Sequence, residues 1–72
     1  MSDELFPKEY LLELKSYKMP FGKYKNYSIS ELPGHYLLWF KNKGFPKGKL
    51  GELMALMYEI RLNGLETLLR NI

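Results

Sequence analysis

Three lysines and two tyrosines, Lys18, Lys23, Tyr24, Lys25 and Tyr27, fall within ten residues of a 72-residue chain. Lysine ammonium groups neutralise phosphates, and tyrosine rings stack on bases of any identity. Each such stack contributes about 1–3 kcal/mol in proteins that hold single strands. Those two residue types side by side point to nucleic acid, DNA or RNA, as the partner. A second group, Lys41, Lys43, Lys47 and Lys49, flanks Gly44-Phe45-Pro46. Lys41 and Lys43 have a structural reason to be there, since cations suit the negative end of a helix. Lys47 and Lys49 fall at the start of the next helix, where cations are disfavoured but unpaired N–H groups attract anions. The plainer reading of both groups is a solvated surface, with the tyrosines as ordinary cross-strand pairs.

Catalytic chemistry finds little to work with. His35 is the single histidine, and there is no cysteine to serve as nucleophile or zinc ligand. A serine activated by His35 would need an orienting acid and an oxyanion hole, and neither is signalled. The eight acids are spread over three segments without a two-metal cluster. Gly48 and Gly51 lack the frame of a phosphate-binding loop and read as a helix start and a close packing point. The expectation is a domain that is not an enzyme and that carries no cofactor or metal.

Charge is distributed unevenly. Residues 1–14 sum to −3, residues 15–49 to +7 and residues 50–72 to −1, which gives the net +3. A one-signed field over the middle of the chain attracts phosphates or an acidic protein face. The absence of cysteine gives no sign of an oxidising compartment. The acidic start, Met1-Ser2-Asp3-Glu4, is unlike a signal peptide, and the longest apolar run, Leu53 to Tyr58, is far below the roughly 18 residues of a membrane span. A cytoplasmic protein without membrane contact is expected.

These side chains must be positioned by a small number of elements. A first helix is expected from Pro7, with Leu11 and Leu14 on its apolar stripe. Lys18 to Tyr27 reads as a two-stranded antiparallel hairpin: Met19, Phe21 and Lys23 alternate with Pro20, Gly22 and Tyr24, and Lys25-Asn26 is the turn. Ser30-Glu31-Leu32-Pro33 offers a capping side chain, an early acid and a proline entry to a second helix, which runs from about Pro33 to Lys43 and stops at Gly44. Its run Tyr36-Leu37-Leu38-Trp39-Phe40 is apolar almost all round, so Trp39 and Phe40 are expected in the core. Phe45 is expected to plug that core. A third helix spans Lys47 to Asn63, with Leu50, Leu53, Met54, Met57, Ile60 and Arg61 at helical spacing. Asn63-Gly64 ends it, and Leu65, Leu68, Leu69 and Ile72 form an apolar tail helix able to support a homodimer.

Several strings taken together, Met19-Pro20-Phe21-Gly22-Lys23-Tyr24-Lys25, Tyr36-Leu37-Leu38-Trp39-Phe40, Gly44-Phe45-Pro46-Lys47-Gly48 and Asn63-Gly64-Leu65, resemble a family of small bacterial proteins. Its members are labelled quorum-sensing-regulated virulence factors and have no settled function. The resemblance runs from about Leu11 to Leu65. Up to Phe40 the chain also resembles the C-terminal segment of exodeoxyribonuclease X-like proteins, which implies by analogy a nucleic acid partner. Asn26 stands where the pattern usually has glycine, and Gly34 where an acidic or polar residue is common.

The expected architecture is therefore α+β: one domain over residues 1–72, with residues 1–5 flexible, formed by a helix, the hairpin and two or three packed helices. The expected function is nucleic acid binding through the hairpin and the 41–49 cluster. The alternative is an adaptor that docks an acidic protein or self-associates through its C-terminal helices.

Overall fold

The structure is a computed structural model that describes residues 7–70 and 72. The flexible start expected for residues 1–5 lies outside the described residues. Among the described residues four helices occur in chain order: α1 (Lys8–Ser16), α2 (Gly34–Lys43), α3 (Gly48–Leu62) and α4 (Thr67–Arg70). A short 3₁₀ turn, Ile29–Glu31, precedes α2.

The longest helix, α3, is the hub. Leu50, Leu53, Met54, Met57 and Ile60 recur at helical spacing and are all buried. Helices α1 and α2 and the 3₁₀ turn each pack against it, and α4 closes onto α1. Gly51 is buried where α3 passes under the preceding connector, and a Cβ at this position would overlap the Pro46 carbonyl oxygen. The helix ends in a Schellman motif. Leu65 N–H donates to Ile60 O (2.9 Å) and Gly64 N–H to Arg61 O (3.2 Å), with Gly64 at φ +66°. Asn63 adds a side-chain bond from its Nδ2 to Glu59 O (2.8 Å).

The core is aliphatic. Leu14, Met19, Ile29, Leu32, Leu37, Met54, Met57 and Ile60 are fully enclosed, and among the described residues no aromatic side chain is buried. The tail residues Leu65, Leu68 and Ile72 pack half-buried against this core, and Leu69 is buried in it.

The α+β expectation is overturned. Among the described residues there is no strand and hence no two-stranded hairpin: the only sheet-like pairing there is one antiparallel bridge, Lys18 to Ser28. Three backbone bonds tie its surroundings, Met19 N–H to Tyr27 O, Asn26 N–H to Met19 O and Ile29 N–H to Tyr17 O. Between them the chain turns twice, through Lys25 N–H to Gly22 O and Tyr27 N–H to Tyr24 O. Pro20 offers no donor and Gly22 sits at φ +80°, so the ladder cannot extend past Met19. Asn26 adopts φ +74°, the left-handed conformation in which asparagine replaces glycine at modest cost. Residues 17–28 are thus a tied loop in an all-helical protein.

The start of α2 falls at Gly34, beside the expected Pro33, but no Ser30 side chain caps it. Ser30 and Glu31 belong to the 3₁₀ turn, where Glu31 accepts a hydrogen bond from Ser28 N–H at 3.0 Å, and Pro33 is the residue that precedes α2.

Candidate functional site: an aromatic cleft between the loop and α2

A helix buried on one side leaves the rest of its surface uncovered. In α2 only Leu37 is buried. Trp39 is 55% exposed, which overturns its expected place in the core, and Phe40 is only half-buried. Tyr36 and Phe40, one helical turn apart, pack at 5.2 Å with their rings nearly perpendicular. The loop leans on them: Tyr24 meets Tyr36 at 4.6 Å, Tyr27 meets Tyr24 at 5.6 Å and Phe21 meets Phe40 at 6.4 Å. Trp39 joins from the other side, perpendicular to Phe40 at 5.1 Å. Edge-to-face pairs of this kind hold rings in fixed orientations. Gly22 lies so close that a Cβ there would stand 3.0 Å from the Tyr36 hydroxyl.

Between loop and helix lies a cleft of about 510 Å³, lined by rings together with Lys23 and His35. Among the described residues no carboxylate lines it. Lys23 Nζ stands 5.7 Å from the centroid of Tyr24, and Lys43 Nζ stands 5.9 Å from that of Trp39. Burial, with the neighbouring Tyr24 phenol second, pushes the Tyr36 hydroxyl pKa above its ordinary value, so Tyr36 stays a neutral donor.

The nine site residues expected from sequence divide into groups. Lys23, Tyr24 and Tyr27 join the aromatic cluster, and Lys43 reaches it from the end of α2. Lys18 and Lys25 are exposed on the loop, and Lys47 is exposed just before α3; none of the three is ion-paired among the described residues. Lys41 lies instead over Tyr58 of α3. Lys49 is engaged structurally: its Nζ pairs with Glu13 Oε1 at 3.0 Å and lies over Tyr10. That hydrogen bond is the main cause of the raised Lys49 pKa. The 41–49 cluster is therefore not one patch.

Phe21, His35, Tyr36, Trp39 and Phe40 line the site without having been assigned to it from sequence. Their signal was present: Tyr36 with Phe40 and Trp39 with Lys43 are i, i+4 pairs, which share a helix face. Arg61 was also misread, as part of an apolar face. Its Nε donates to Leu32 O (2.8 Å) and its Nη2 to Ser30 O (3.1 Å), and Glu66 stands 3.6 Å from its Nη1. The guanidinium thereby fastens the turn before α2 onto α3.

Among the described residues no helix is long and apolar enough to cross a membrane. No solved structure matches the chain. The "Uncharacterized protein YpeB" of Escherichia coli strain K12 is 50% identical over 64 residues, covering 88% of this chain and 89% of that protein. Its counterpart in Escherichia coli O157:H7 matches to the same extent. Residues 7–72 match the profile of the family described as "Putative quorum-sensing-regulated virulence factor". With nearly its whole length matched in this way, the chain belongs to that family.

Proposed function

We propose that this domain binds nucleic acid, DNA or RNA, without catalysing a reaction, through the basic aromatic surface that the 17–28 loop shares with α2. One observation carries the reading: rings that a small protein would ordinarily spend on its core stand half-exposed beside lysines that form no ion pair among the described residues. The +7 charge of residues 15–49 supports it by drawing phosphates toward that part of the chain. Such a role places the protein in the cytoplasm.

Fluorescence anisotropy of labelled DNA and RNA at two salt concentrations tests this. Affinity should fall with salt, with a log–log slope of about −0.9 per duplex phosphate contact. The double replacement Lys23→Glu and Lys25→Glu should abolish binding; affinity that survives it removes the loop from the site.

Docking of an acidic protein is the second reading, favoured by Leu38, which is exposed next to Trp39 on α2. An apolar contact of that kind would respond far less to salt.

A further inference from the structure

We infer that the cleft takes unpaired nucleotide bases, so that the protein selects single strands over duplexes. The inference rests on the nucleic acid reading above and adds the class of ligand.

The cleft floor consists of rings already fixed by one another: Tyr24, Tyr36 and Phe40 meet at 66° and 76°. Its two rims are different. Phe21 on the loop is 44% exposed and Trp39 on α2 is 55% exposed. Phe21 is tilted 51° to Phe40, and Trp39 stands at 84° to it, so neither rim ring is covered by a parallel neighbour. These partly exposed rings border a space of about 510 Å³, within the roughly 300–1,000 Å³ of small-ligand pockets. Lys23 lines the loop wall, Lys43 stands outside the lining with its Nζ 5.9 Å from the Trp39 centroid, and among the described residues no acid lines the cleft. Rings and cations without carboxylates suit an occupant that is planar and anionic. An unpaired nucleotide has both properties. In a duplex the base faces are stacked on one another and closed to such a cleft, while a single strand exposes them. Phosphate attraction alone would not distinguish the two forms.

The decisive comparison uses three probes on the unmodified protein at low salt: a single-stranded oligonucleotide, its duplex, and an abasic strand of equal length and phosphate charge. Trp39 is the only tryptophan, so its fluorescence reports the cleft directly. The single strand should quench Trp39 and bind at least about tenfold more tightly than the abasic strand, the factor expected from stacking one base. Trp39→Ala should remove that advantage and leave binding of the abasic strand unchanged. Equal binding of duplex or abasic strand, with Trp39 unquenched, overturns the inference and leaves the nucleic acid reading standing. Absence of binding to all three overturns both. Quenching of Trp39 by a proline-rich peptide and by no oligonucleotide assigns the cleft to a protein partner. A dimer in sedimentation that Trp39→Ala dissolves assigns it to a second copy. Either result also overturns the inference.

Discussion

The two long faces of this molecule are made from different residues. Around one face of α3 the chain packs buried leucine, isoleucine and methionine, and it satisfies the carbonyls of the adjoining turn with Arg61. Around α2 it gathers tyrosine, tryptophan and phenylalanine and leaves them partly in water. Aromatic side chains carry the largest apolar area per residue and ordinarily dominate cores. A chain of 72 residues with only a modest core to gain would be expected to bury them. Their placement outside the core divides the molecule: the α3 side holds the fold, and the α2 side leaves its rings partly in water.

Substitutions can break or sharpen that contrast. Gly51→Ala should be the most severe, because the added methyl meets backbone at Pro46 rather than a flexible side chain. A loss of about 3 kcal/mol or more is expected, and for a domain of this size thermal unfolding by circular dichroism should show a midpoint lower by about 12 °C or more. Arg61→Ala should cost about 2–3 kcal/mol in chemical denaturation, since it strands the Ser30 and Leu32 carbonyls. Glu66→Gln, which touches only the exposed end of the same guanidinium, should stay within about 0.5 kcal/mol. Trp39→Ala should change stability by less than about 1 kcal/mol while it removes the preference for a single strand over an abasic one. If it instead unfolds the protein, the α2 face belongs to the core and the contrast fails.

The smallest effect is alkaline. Tyr36 and Lys49 both have pKa values raised above their ordinary 10.0 and 10.5. A raised folded-state pKa contributes stability that is complete below the unfolded value and lost as pH rises through the folded value. Unfolding midpoints should therefore hold from neutral pH to about pH 10 and decline above it. Tyr36→Phe should remove one part of that decline and Lys49→Met the other.

Most of the helical frame was legible because its signals are local. The prolines at 7 and 33, the glycines at 44 and 64 and the periodic leucines and methionines of α3 each set an element with little help from elsewhere. The hairpin was misread because alternation in Met19–Tyr24 matches a strand, while Pro20 and the positive φ of Gly22 and Asn26 favour turns. Which of the two prevails depends on where Met19 and Ile29 are drawn, and that is a property of the distant α3 surface. The cleft was missed for a related reason. An apolar run such as Tyr36–Phe40 reads as buried on all sides, but burial depends on how many partners exist, and a chain this short has only α3 to offer. Tyr24 and Lys23, singled out by residue type alone, do line the cleft. Arg61 was misread because its two acceptors lie about thirty residues away in the chain.

The position of the hub within the chain bears on how the protein is made. Residues 7–43 contain α1, the tied loop, the 3₁₀ turn and α2, yet the surface they fold against is supplied by residues 48–62. A growing polypeptide that has released only the earlier elements holds Leu11, Leu14, Met19, Ile29 and Leu32 with no partner helix to cover them. Folding must then wait until α3 has left the ribosome, and the Arg61 bonds to the turn before α2 close the structure only at that stage. Until then those apolar side chains stay uncovered, the condition in which partly made chains are prone to associate.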